Sequence, residues 1–69
     1  MEPLASRLKD ERTKRKLTQQ QIADILGINR VTYQGYESGK HEPDLSILIK
    51  LSDTFDRSTD YLLGKYNQA

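Results

Sequence analysis

TQQQIADILGINRVTYQGYESG, residues 18–39, reads as two short helices joined by a tight turn. Thr18 followed three residues later by Gln21 is a capping box, in which the hydroxyl accepts an orphan amide while the Gln side chain reaches back to the cap. Ile22, Ala23, Ile25 and Leu26 supply the buried side of the first helix. Gly27 stands where the chain leaves it, at a position suited to a positive φ. Ile28 is an apolar anchor, and Asn29 caps a second helix that carries Tyr33 and Tyr36 inward. Only one residue separates Gly27 from Asn29, so the two helices are forced to cross steeply.

The flanking sequence supplies the remaining elements. Pro3 can open a helix without losing a needed hydrogen bond, and Leu4 with Leu8 begins an apolar stripe. Glu11, Arg12 and Arg15 continue that side with charge, and Leu17 suits a staple across the Thr18 cap. After Gly39, His41-Glu42-Pro43 is a loop, because a residue before proline is pushed towards extended geometry. Asp44 caps a fourth helix whose Leu45, Leu48, Leu51, Ser52 and Phe55 fall at helical spacing, with Ile47 and Ile49 widening the buried arc. Asp56-Arg57 breaks it, and Ser58 starts a last short helix bearing Tyr61, Leu62 and Leu63, closed by Gly64. Beyond Lys65 only Tyr66 offers an anchor, and residues 66–69 are expected to fray. The expectation is an all-α, compact five-helix bundle forming a single domain over residues 1–69.

A chain of 69 residues has room for one small core and no sizeable internal active-site cavity. It has no cysteine, which removes disulfides and thiolate metal sites and fits a reducing cytoplasm. No apolar run approaches the length of a membrane span, so a soluble, cytoplasmic protein is expected. His41 is the only histidine and has no further ligands at metal-site spacing. No Gly-rich phosphate loop, nucleophile–base motif or sheltered carboxylate pair stands out, so no enzyme activity, metal or cofactor is expected. Net charge is +1, unevenly spread: residues 1–30 hold seven basic against four acidic side chains, and residues 31–69 hold four against six. That asymmetry can present a basic face to a phosphate backbone. Lys14, Arg15 and Lys16 equally suit a helix C-terminus, where cations are favoured without any partner.

Taken together, RLKDER in the first helix, LTQQQIADILGIN across the second, YESGKHEPD after the third, then LSILIKLSDTF and STDYLLGK, resemble the phage-repressor-like helix-turn-helix family. This group includes lambda and 434-type repressor and Cro proteins and the Xre-type regulators. The resemblance covers about residues 7–65. It implies a lambda repressor-like DNA-binding domain whose helix 30–37 lies in the major groove of double-stranded DNA. By position it assigns base contacts to Arg30, Val31 and Gly35, and to Gln34 if it points inward rather than along the groove wall. It assigns backbone contacts to Gln19, Asn29, Thr32, Ser38 and Lys40. Arg12 and Glu37 match a pair that forms an internal salt bridge in family members. The chemistry of the side chains agrees in kind: arginine can donate twice to guanine, a valine methyl can meet thymine, and glutamine can pair with adenine.

Some residues depart from the family pattern. Gly35 stands where relatives have a larger side chain, Glu11 where they are usually apolar, Lys16 where glycine is frequent and Arg57 where valine is. The expected function is a sequence-specific transcriptional regulator, a repressor on an inverted-repeat operator. It is expected to pair as a homodimer at least on DNA, with Phe55, Tyr61, Leu62 and Tyr66 as candidate dimer contacts. The alternative is a protein-interaction or antitoxin-like module on the same fold, or one bound by a protein anti-regulator, with weak or no specific DNA binding.

Overall fold

The computed structural model describes residues 2–65 and is all-helical over them. The helices are α1 (Glu2–Lys14), α2 (Gln19–Leu26), α3 (Arg30–Ser38), α4 (Leu45–Phe55) and α5 (Thr59–Leu62). Four of them start on a side-chain cap. Thr18 Oγ1 accepts from the Gln21 amide at 3.0 Å while Gln21 Oε1 accepts from the Thr18 amide at 2.8 Å, completing the capping box. Asn29, Asp44 and Ser58 accept from the amides of Thr32, Ile47 and Tyr61. All four connections between the helices thus have their exit directions set by local chemistry.

Gly27 and Gly39 end α2 and α3 in the left-handed region, at φ 72° and 81°. Lys16 occupies the same region at φ 57° with a side chain attached, a conformation that glycine adopts without steric cost.

α1 packs across α3 and α5, α2 packs against α3 and α4, and α4 meets α5. Leu4, Leu8, Ile22, Leu26, Tyr33, Leu51, Phe55 and Leu62 make most of the shared core. The buried arcs are narrower than the apolar pattern predicts. Ile22, Ala23 and Leu26 define the inward side of α2, and Ile25 falls roughly 100° round the helix from its centre, so it is 56% exposed. On α4, Ile49 lies still further from the arc of Leu48, Leu51 and Phe55 and is also 56% exposed, while Leu45 in the first turn reaches 78%. Ile47 is half-buried against the core.

Two of the candidate dimer contacts are corrected. Phe55 and Leu62 have no exposed surface, because α5 folds over the ends of α1 and α4 and seals both into the core. Tyr61 is half-buried, with the guanidinium carbons of Arg7 and Arg57 at 4.4 and 4.9 Å from its ring centroid. Tyr66 lies outside the described residues.

Relieving the left-handed side chain is the simplest test of this backbone. Lys16→Gly is expected to stabilise the domain by up to about 1 kcal/mol, less the entropy cost of a glycine. A higher urea midpoint at unchanged m-value is the readout.

Candidate nucleic-acid interface

α3 owes its orientation to both of its faces. Inward, Tyr33 and Tyr36 meet edge to face with ring centroids 6.1 Å apart, and Tyr33 is fully buried. Outward, the same 3.6-residue period leaves Arg30, Val31, Thr32, Gln34 and Ser38 exposed on one short stretch of helix. Val31 is 64% exposed, which is unusual for a valine that serves only a core. Arg30 Nη1 lies 3.5 Å from Gln34 Oε1, a contact too long to tie up either side chain.

Glu37 anchors α3 to the rest of the molecule. Arg12 of α1 donates from Nε to Glu37 Oε2 at 2.6 Å and from Nη2 to Oε1 at 3.0 Å, a two-pronged pair, and its Nη1 donates to the Leu17 carbonyl at 2.8 Å. Tyr33 Oη donates to Glu37 Oε2 at 2.5 Å, and Gln19 Nε2 donates to Oε1 at 3.1 Å. Burial works against the Glu37 carboxylate, but Arg12, Tyr33 and Gln19 outweigh it and hold its pKa below the ordinary value. The Tyr33 hydroxyl is pushed strongly the other way, first by burial and then by its bond to Glu37. One carboxylate therefore joins α1, the start of α2 and both ends of the buried face of α3.

The expected backbone contacts fall around this clamp. Gln19 is half-buried with its amide nitrogen on Glu37, and Asn29 uses its oxygen to cap α3. Ser38 Oγ donates to the Gly35 carbonyl at 3.2 Å, and the Lys40 amide donates to Ser38 Oγ at 3.4 Å. Lys9 was not picked out from the sequence. It is exposed and borders a shallow depression with Arg12, Gln19, Gln34, Glu37 and Ser38. Its place three residues before Arg12, on the same face of α1, was the available signal.

Gly35 does not offer a surface of its own. It is buried because the imidazole of His41 lies over it. At position 35 the group that faces outward is the His41 ring from the loop after α3, with Gly35 beneath it in the lining of the same depression.

The basic residues of α1 divide in a way their sequence positions conceal. Glu11 is 1% exposed and pairs with Arg15 at 2.7 Å, Lys14 at 3.3 Å and Arg57 at 3.4 Å. Arg15 also donates to the Phe55 carbonyl at 2.6 Å, and Arg7 donates to the Tyr61 carbonyl. Arg7, Arg12, Arg15 and Arg57 are thus engaged in holding helices together. Burial raises the Glu11 pKa, yet the three cations bring it below the ordinary carboxylate range. Charged partners drawn from α1 and the α4–α5 turn thus make a buried carboxylate at 11 tolerable in this core.

A family model described as "Helix-turn-helix" matches residues 8–62. The chain belongs to the helix-turn-helix family of the Xre/Cro/C1 type. It is 52% identical over 62 residues to the uncharacterized HTH-type transcriptional regulator YqaE of Bacillus subtilis, covering 88% of this chain and 53% of the relative. It is 47% identical over 62 residues to the HTH-type transcriptional regulator AnsR of the same organism, covering 90% and 53%. It is 36% identical over 63 residues to the cryptic phage CTXphi transcriptional repressor RstR of Vibrio cholerae, covering 91% and 56%. The chain spans about half the length of the curated relatives it matches. The helix-turn-helix of this chain comprises α2 and α3. No helix among the described residues is long and apolar enough to cross a membrane.

Two predictions follow from the charge network of this helix-turn-helix domain. Arg12→Ala leaves Glu37 charged and largely enclosed, so it is expected to cost about 3–5 kcal/mol in urea unfolding, with part recovered in Arg12→Ala/Glu37→Gln. Glu11 and Glu37 have folded pKa values below their unfolded value of about 4.3, so the stability they contribute is present above that pH and lost as pH falls through the folded values. Acid titration of the unfolding midpoint is expected to flatten below pH ~4.5 in Glu11→Gln and Glu37→Gln.

Proposed function

We propose that the chain is a DNA-binding transcriptional regulator, with no catalytic role, that occupies operator DNA as a repressor and inserts α3 into the major groove. The observation that carries this reading is the outward face of α3: Arg30, Val31 and Gln34 stand exposed on a helix whose opposite face is fixed by Tyr33, Tyr36 and the Arg12–Glu37 pair. A reading helix must be held rigidly, since bidentate base contacts need accurate placement. Membership of the helix-turn-helix family and the printed name of RstR as a transcriptional repressor support the same reading.

In this reading Arg30 donates to guanine, Val31 meets a thymine methyl and Gln34 reaches adenine. Gln19, Asn29, Thr32, Ser38 and Lys40 position the protein on phosphates, with Lys9 added to them. Arg7, Arg12, Arg15 and Arg57 stay in the fold. Backbone contacts supply affinity and base contacts supply the sequence preference. Two copies related by a two-fold axis would place their reading helices about 34–36 Å apart on an inverted repeat. With Phe55 and Leu62 sealed, Tyr61 is the described candidate for that pairing.

Exposed Ile25, Leu45 and Ile49 favour a second reading, a surface that takes a protein partner instead of DNA. Selection from random duplex DNA at about 150 mM salt separates the two readings, since operator binding requires a specificity ratio of at least about 10³. An enriched inverted repeat is the expected outcome, and no enrichment by folded protein overturns the DNA-binding reading. Arg30→Ala is expected to lose one guanine preference, a change of about 1–3 kcal/mol at that position. Lys40→Ala is expected to weaken binding about equally at all sequences and to reduce the salt slope by about 1.

A further inference from the structure

Gly35 lies inside α3, where glycine costs a helix about 1 kcal/mol relative to alanine. Its φ is not in the left-handed region, so backbone conformation does not require glycine there. What a side chain at that position would meet is the ring of His41. A Cβ on residue 35 would stand 2.2 Å from His41 Cδ2, 3.1 Å from Cγ and 3.2 Å from Nε2. The imidazole has been brought onto the helix itself.

The chain arrives there by a defined route. Gly39 turns it back at φ 81°, and the His41 amide donates to the Gly35 carbonyl at 3.1 Å, fastening the loop along α3 one turn from the helix end. His41 remains exposed although its ring covers Gly35. With Val31, Gln34, Ser38 and Lys40 it lines a shallow depression on the outward side of α3. Four of its neighbours in that depression are the groups to which base or phosphate contacts were assigned above.

We propose that His41 is a sequence-reading residue of this surface, hydrogen-bonding a base edge in the major groove from the place that a side chain at position 35 would otherwise take. The proposal rests on the DNA-binding reading. A neutral imidazole offers one N–H donor and one acceptor, and a charged one offers two donors, so either form can pair with groove-edge groups such as guanine N7 and O6. Glycine at 35 is the complement of histidine at 41: the helix gives up a side chain so that the loop can supply one.

The test is a comparison of selected sites for wild type, His41→Ala, Gly35→Ala and the double variant, each shown to be folded by its thermal transition. His41→Ala is expected to lose preference at one base-pair position per half-site by about tenfold and leave the Arg30-dependent guanine intact. Gly35→Ala puts a Cβ where the imidazole lies while favouring the helix, so it is expected to change preference at the same position, with the double variant no worse than either single one. A uniform loss at all sequences in His41→Ala would make His41 a phosphate contact and overturn the proposal, as would an unchanged preference. Failure of wild type itself to select a site would overturn the DNA-binding reading, a result distinguishable from both.

Discussion

The two-pronged bond between Arg12 and Glu37 is the constraint on which the outward face of α3 depends. Arg12 belongs to the first helix, Glu37 to the last turn of the third, and the carboxylate also takes a hydrogen bond from Tyr33 and one from Gln19. Burial of Tyr33 and Tyr36 fixes which face of α3 points inward, but apolar contacts are not directional and set its register less sharply than hydrogen bonds do. Charged hydrogen bonds at 2.5–3.1 Å on a nearly enclosed carboxylate are directional, and they hold α3 in one register against α1.

Glu11, the residue before Arg12 in α1, plays a comparable part on a neighbouring face of the helix. It draws Lys14, Arg15 and Arg57 together, and Arg15 continues to the Phe55 carbonyl, so that α1 is tied to the end of α4. Burying a carboxylate is costly when it is unpartnered and tolerable when several donors surround it. Every buried side-chain nitrogen and oxygen among the described residues has a partner, so neither carboxylate leaves a stranded group in this small core. The two networks use up cations that a linear count assigns to a basic surface, leaving Lys9, Arg30 and Lys40 exposed on or beside α3.

Legibility in the sequence followed the range of the interactions. Helix starts were readable because capping is a matter of three or four neighbouring residues: Thr18, Asn29, Asp44 and Ser58 each bond the amide three positions on. The apolar arcs were less readable. Ile25, Leu45 and Ile49 fit a helical pattern as well as Leu26 and Leu48 do, and which of them meets another helix depends on how wide the contacts are. Phe55 and Leu62 show the opposite failure, since an aromatic or leucine near a chain end looks the same whether a short fifth helix seals it or leaves it for a partner.

What the sequence alone determined is the order of five helices, the tight turn after Gly27 and the inward set Tyr33 and Tyr36, because period and caps are local properties of the chain, while the outward set Arg30, Val31, Thr32 and Gln34 was implied by the family resemblance. The roles of the other charged residues were decided only by the tertiary structure. Glu11 became a buried hub, Lys9 a border of the outward face, and His41 the occupant of the space over Gly35. The physical reason is one of distance along the chain. Each of these placements also needs a residue from outside the helix concerned, such as Arg57 for Glu11 or the loop residue His41 for Gly35, and no local rule specifies which side chain arrives there.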